Sequence, residues 1–483
     1  MGGTGVNALV PYDFQGGEKE MVFSSLVFLC IFLPVVFVLY TLLPGIHTKN
    51  FLLLIASLVF YAYGEPVYVL LLLGVSLLNY LAARLIASGS RKKAKLAVVV
   101  ILNLGILCLF KYTGFLVESL NQFTGISVRV PQIELPIGIS FYIFQALSYV
   151  IDVYREEEPP QKNFASLLLY ISFFPQLIAG PIVKYRDIAS EILDRKQTPD
   201  DVAAGIRRFT AGLGKKVLIS NFMAQIADAA YGAAPNEVNI LVAWLGAAAY
   251  MLQIYFDFSG YSDMAIGLGR MFGFHFKENF CYPYTACGIR DFWRRWHISL
   301  SSWFRDYLYI PLGGNRRGKM RTCLNKMLVF LCTGFWHGAN FTFLFWGFYH
   351  GCFLMLEEYV PFFRQEHKKR GKIFLHLYTL LVVLTGFVFF RADTMSQAFF
   401  WIRQMVCGFH FEASCMRLLW SLLTPAGLLT FAVGIAGSLP LKKYLENRKG
   451  WQPLTMVLSL VILVLCLLNL SGGTYNPFIY FRF

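Results

Sequence analysis

Apolar runs close to bilayer length recur along this chain from the first hundred residues to its end, and that repetition restricts the fold more than any other feature. A hydrocarbon core demands about 20 apolar residues per helix and leaves no backbone polar group unpaired, so a chain of this kind folds as packed helices. The composition agrees. Hydrophobic residues make up 57% of the 483 positions and charged residues 15%, well below the roughly one quarter that a wetted surface requires. The run MVFSSLVFLCIFLPVVFVLYTLLP, from Met21, is too long and too aromatic for a cleaved leader and has no small-residue cleavage site, so it reads as a first span. Residues 1–20 are polar, Gly-rich and without periodicity. They read as a disordered or mis-assigned extension, with Met21 as the expected start and 21–483 as one membrane domain.

Further spans are expected at 50–63, 67–88, 96–117, 135–153, 238–257, 327–358 as a broken pair, 373–390, 416–437 and 455–471. Residues 164–183 are apolar but flanked by basic stretches on both sides. A re-entrant hairpin broken at Pro175 and Gly180-Pro181 avoids placing that charge outside. The expectation is an all-α polytopic protein of about a dozen helices plus re-entrant pieces. The formal net charge of +15 belongs to this pattern: the clusters Arg91–Lys95, His367–Lys372 and Lys442–Lys449 mark cytoplasmic ends, and no nucleic-acid motif competes. Ten cysteines are scattered without metal-ligand spacing. Cys407 and Cys415 bracket a segment placed outside, where a disulfide is chemically allowed, and His410 between them does not complete a metal site.

Ionisable groups at membrane depth are costly and are therefore candidates for function. Asp257 and Asp263 flank FSGY and are expected to pair with nearby basic residues, a proton relay being the less favoured role. From Arg290 to Tyr309 the spacing predicts one interfacial amphipathic helix, with Trp293, His297, Leu300 and Phe304 on a single stripe facing the protein. His337, between Trp336 and Gly338, lies in the uncharged run from Met327 to Tyr349. A buried neutral imidazole there has a nitrogen able to accept a proton from a hydroxyl, and Gly338 permits a close approach or a helix break. His350, 13 residues on, would lie about 220° around an unbroken helix from His337, which casts it as support or packing. GLGRMFG, from Gly267, follows no strand and reads as membrane-helix packing rather than a dinucleotide loop.

Five strings then occur in order: LPIGISFYIFQALSYVIDVYR (Leu135–Arg155), FFPQLIAGPIVKYRD (Phe173–Asp187), FDFSGYSDMAIGLGRMFGF (Phe256–Phe274), DFWRRWHISLSSWFRDYLYIPLGGNR (Asp291–Arg316) and TGFWHGANFTFLFWGFYHG (Thr333–Gly351). Together they resemble the membrane-bound O-acyltransferase family in its bacterial polysaccharide-acetylating branch, which includes alginate O-acetyltransferase. The resemblance implies helices around a central tunnel, a catalytic His337 within Trp336-His337-Gly338, a second histidine at His297 and a third position at His350. It also implies an acyl thioester donor such as acetyl-CoA with no bound cofactor, a plasma-membrane location, a polysaccharide acceptor and an extracytoplasmic esterase-like partner. Arg294, Arg295, Arg316 and Arg317 are candidate contacts for the donor's phosphates. The sister branch that transfers D-alanine to teichoic acid has a similar pattern, but Asp263 within its string and the YIPLGGNRR loop favour acetylation. A transporter or flippase is the rival from another class.

Overall fold

A computed structural model of the chain describes residues 21–365, 368–441, 451–473, 475–477 and 479; the expectations for residues 1–20, His367 and Lys442–Lys449 lie outside them. The first helices are a π turn over Phe28–Phe32 continued by α1 (Leu33–Leu42), then α2 (Ile46–Gly64), α3 (Val69–Ala87), α4 (Lys92–Lys111), α5 (Thr113–Thr124) and α6 (Ile139–Tyr154). Next come α7 (Phe164–Ser172), α8 (Phe174–Leu177), α9 (Tyr185–Leu193), α10 (Pro199–Gly214), α11 (Asn221–Tyr231) and α12 (Ile240–Met271). The remainder comprises α13 (Ile289–Arg295), α14 (Ile298–Phe304), α15 (Gly318–His337), α16 (Phe341–Tyr359), α17 (Pro361–Arg364), α18 (Lys369–Arg391), α19 (Met395–Cys407), α20 (Ala413–Leu422), α21 (Pro425–Gly437) and α22 (Trp451–Ser471).

The starts of these helices are written locally. Asn163, Thr198, Asn239, Asn340, Thr394 and Thr424 each accept a hydrogen bond from a backbone N–H of the turn they precede, relieving donors that a helix cannot satisfy itself. Among the described residues, six helices are long and apolar enough to cross a membrane, and a seventh span results if α20 and α21, bent by 64°, are taken as one. The chain is a membrane protein. Its outer helices carry apolar side chains outward, as on α22, where Val457, Leu460, Val461 and Leu468 are exposed in the manner of a lipid-facing surface.

Several expected segments change shape. Residues 96–117 are two helices, since α4 stops at Tyr112. Residues 164–183 are indeed broken: α7 ends at Ser172, α8 is one turn, and the chain from Ile178 to Lys184 is non-helical and buried. The span expected at 238–257 instead continues without a break through Met271, as one 32-residue helix.

Small residues let α12 pack tightly on α10. A Cβ on Gly267 would lie 2.6 Å from Phe209 N and 2.7 Å from Gly205 O, and one on Gly260 2.8 Å from Gly212 O. GLGRMFG is thus a helix-crossing surface, as its sequence suggested. Gly267→Val is expected to push the pair apart at a cost of about 1–3 kcal/mol. The check is the temperature at which half the detergent-solubilised protein loses its monodisperse peak, which should fall. The same device joins α15 to α16, where a Cβ on Gly334 would meet Phe343 O and one on Gly347 would meet Phe330 O.

Among the described residues, buried side chains form two clusters. The first joins α1–α4, α6–α10, α14 and part of α12 and includes Trp336; the second joins α11, α12, α13, α16, α18 and α19 and includes Trp346 and Phe390. His337 touches both. Its ring lies 5.0 Å from Trp336, 5.4 Å from Trp346 and 5.1 Å from Phe390, centroid to centroid.

Candidate active site

His337 is the last residue of α15, and Gly338 follows in an extended conformation (φ −169°, ψ 152°) that ends the helix. Any residue can adopt that backbone, so the need for glycine here is spatial. A Cβ would collide with the ring of Phe343, at Cε2 and Cδ2. The close approach expected at Gly338 is therefore made by an aromatic ring of α16.

His297 departs from the expected helix. Residues 290–309 are not continuous: α13 ends at Arg295, His297 is left-handed (φ 45°, ψ 52°), and α14 begins at Ile298, followed by a π turn over Arg305–Tyr309. The cause is a neighbouring loop that bonds across the break. Cys281 N donates to Arg295 O at 2.9 Å, and Ile298 N donates to Asn279 O at 2.9 Å. A left-handed histidine is sterically uncommon, and such conformations concentrate where geometry serves function. Trp293, Leu300 and Phe304 are buried as their spacing suggested. The break turns His297 to within 6.2 Å of His337, ring centroid to ring centroid.

Two elements fix this piece from below. Glu357 of α16 accepts bonds from Ile289 N and Arg290 N (2.9 Å to the latter), and Thr379 of α18 accepts from Gly288 N at 2.7 Å. Above, buried Asn279 does the rest. Its Oδ1 accepts from Ser299 N (3.1 Å) and Ser299 Oγ (2.9 Å) and faces His297 Nδ1 at 3.3 Å, while its Nδ2 donates to Ser262 Oγ at 2.9 Å. An acceptor at Nδ1 places the imidazole proton there and leaves Nε2 as the basic nitrogen. His297 Nε2 and His337 Nδ1 are both buried and have no hydrogen-bond partner among the described residues. Asn279→Ala is expected to lower turnover about tenfold by freeing the His297 ring, since loss of alignment without loss of the group already costs rate. Steady-state kinetics on the purified variant check this, with kcat falling and KM nearly unchanged.

A void of about 20 Å³ touches His337 and is lined by Ile254, Phe258, Trp296, Trp346, Phe387 and others. A larger, open cavity of about 540 Å³ is lined by Thr285, Cys287, Lys369, Lys372, Ile373, His376 and Leu439. Tyr284 and Phe387 pack on Trp296 at 6.3 and 5.3 Å; Trp296 and Phe387 line the void, and Tyr284 precedes Thr285 of the open cavity.

The other candidates separate from this centre. His350 packs against Gly386 among Trp293 (5.2 Å), Trp346 (5.1 Å) and Tyr349 (5.4 Å), so Trp346 stands between it and His337. Asp257 pairs with Lys216 at 2.5 Å, and Asp263 with Lys215 (2.6 Å) and Arg208 (2.7 Å). Arg295 pairs with Asp291 at 2.9 Å and approaches Thr285 Oγ1 of the open cavity at 3.5 Å; Arg294 is exposed on the same turn. Arg316 and Arg317 are exposed just before α15, a helix length of about 30 Å from His337. Cys407 and Cys415 are separate thiols, the second bonded to Asn236 O at 3.2 Å. Asn279 and Lys111 were not singled out from sequence. Asn279 had no periodic signal, but Lys111 had one, as a lone charge ending an apolar run.

The family model described as MBOAT, membrane-bound O-acyltransferase family, matches residues 153–392. The chain is 41% identical to the probable alginate O-acetylase AlgI of Pseudomonas putida, across 96% of this chain and 100% of that protein. This chain belongs to the membrane-bound O-acyltransferase family. It is also 36% identical to the peptidoglycan O-acetyltransferase of Helicobacter pylori over 80% of each chain. Its likeness to the teichoic acid D-alanyltransferase of Bacillus subtilis is 29% over 48% of this chain and 60% of that one. The residues around His297 and His337, from Ile254 to Phe390, fall within the matched family region, while Lys111 and Leu439 lie outside it.

Proposed function

We propose that this protein transfers an acetyl group from a cytoplasmic thioester, acetyl-CoA, toward hydroxyls of an extracytoplasmic polysaccharide of the alginate or peptidoglycan kind. The observation that carries the reading is the pair of imidazoles 6.2 Å apart, each buried and each with a nitrogen unengaged by the described residues. His337 takes the proton of the accepting hydroxyl, whose oxygen attacks the thioester carbonyl. The C–S bond breaks, and the sulfur leaves as a thiol carrying that proton. His297, held through Nδ1, orients or polarises the reacting group through Nε2. A covalent variant, in which His337 carries the acetyl group between donor and acceptor, uses the same residues.

The donor enters, in this account, through the open basic cavity at Lys369, Lys372 and His376. Arg295 reaches Thr285 of that cavity, Arg294 is exposed on the same turn, and Trp296, which packs on Tyr284, lines the void at His337. Arg316 and Arg317, exposed just before α15, are further candidate contacts for the donor's phosphates. The protein sits in a bacterial plasma membrane, with about a dozen spans and broken pieces around a tunnel between donor and acceptor sides. A separate extracytoplasmic esterase-like protein receives the acetyl group and delivers it to the polymer.

The test is donor choice. Purified protein incubated with acetyl-CoA or with a D-alanyl-loaded carrier protein should release thiol only from acetyl-CoA. Release only from the carrier would replace acetylation by D-alanylation.

A further inference from the structure

The last turn of a helix leaves its carbonyls without partners inside the helix. In α15 that turn carries His337, and two consecutive residues at the end of α4 meet three of its carbonyls. Tyr112 OH donates to Phe335 O at 2.9 Å, and the two rings stack with centroids 4.0 Å apart. Lys111 Nζ donates to Trp336 O at 2.6 Å and to His337 O at 3.3 Å, and lies 5.8 Å from the centre of the Trp336 ring. Ser140 Oγ is a further neighbour at 3.5 Å.

This lysine sits at the opposite end of α4 from Arg91–Lys95, so the charge bias that explains those basic residues does not explain it. Among the described residues its neighbours are two carbonyls, a hydroxyl and an indole face rather than a carboxylate. A cation suits the negative end of a helix dipole. Here that end is also the point where Gly338 turns away and the His337 side chain departs toward His297.

We propose that Lys111, seconded by Tyr112, is a positioning residue for His337: the ammonium and the phenol fix the final carbonyls of α15 and so set the direction of the imidazole. The inference rests on the reading of His337 as the proton acceptor, and its test separates the two. Carbethoxylation of His337 by diethyl pyrocarbonate, located by peptide mass spectrometry, reports the exposure and orientation of the ring without requiring turnover. Lys111→Met in folded protein should change that rate about fivefold or more and lower kcat about tenfold or more, with KM for acetyl-CoA within about twofold. Lys111→Arg, which keeps the charge and donors, should recover most of both. Should Lys111→Met fail to fold, Tyr112→Phe removes one clamp bond while keeping the ring stack, and should shift the modification rate about twofold. An unchanged rate at His337 in the folded Lys111→Met protein, or in Tyr112→Phe where that variant must serve, overturns the clamp. A changed rate with wild-type turnover keeps the clamp and overturns instead the role given to His337.

Discussion

His337→Ala is expected to lower kcat for acetyl transfer by about 10²–10⁴, the range that a positioned general acid–base group supplies. The protein should remain folded. The imidazole stands at the junction of two clusters and packs on Trp336, Trp346 and Phe390, which also hold one another and their neighbours through other contacts. His350→Ala is the control that gives the result meaning. That ring is as deeply buried, at 1% exposure against 7% for His337, but lies beyond Trp346 in an aromatic box against Gly386. Its loss should reduce thermal stability while leaving kcat within about tenfold of wild type. Equal losses of rate in the two variants, with both proteins folded, would show that the histidines act through packing alone. Steady-state kinetics and a thermal melt on the same preparations provide both readings.

Lys216→Met is expected to produce the largest loss of folded protein. Lys216 and Asp257 form an ion pair at 2.5 Å with side chains 2% and 1% exposed, and Asp257 Oδ2 also accepts from Ile479 N at 2.8 Å. Lys216 reaches Pro477 O as well, so the pair ties the end of the chain into the helices around α12. Removing one member strands a buried charge at a cost of about 3–5 kcal/mol, comparable with the whole stability of many domains. The double variant Lys216→Met/Asp257→Asn, which leaves no buried carboxylate, should recover a large part of the yield. Monodisperse protein per litre of culture measures both. A proton-relay role for Asp257 makes the opposite forecast: Asp257→Asn alone would fold well and lose transfer, and the double variant would be no better folded than Lys216→Met.

What could be seen in the sequence follows the physics of each signal. Apolar run length located most helices, and a lone histidine in an uncharged run located His337. GLGRMFG was legible as a helix-packing surface, while its partner, α10, emerges only from the fold. The break at His297 was invisible because the 290–309 stretch has a sound helical stripe, and the bonds that interrupt it come from the loop around Asn279, a contact between separate elements. Asn279 was missed for the same reason: one asparagine in a polar loop has no pattern, and its value comes from being buried beside Ser262, Ser299 and His297. Lys111 is different. A charged residue closing an apolar run is a recognised sign of function, but the span drawn over 96–117 absorbed it, and the true helix end at Tyr112 restores its significance. The helix α12 runs past the span expected at 238–257 because the residues after Asp257 stay helical, with Gly260 pressed against α10.

The most direct test of vectorial acyl transfer uses wild-type protein in sealed vesicles, cytoplasmic face outward, with acetyl-CoA labelled separately in its acetyl and coenzyme portions and a hydroxyl-bearing polysaccharide, with its esterase-like partner, inside. The account predicts that acetyl label becomes ester-linked in the lumen while coenzyme label stays outside as free thiol, and that His337→Ala abolishes this. Appearance of both labels together in the lumen, equally in wild type and His337→Ala, would mean that intact donor is carried across, and would contradict the account.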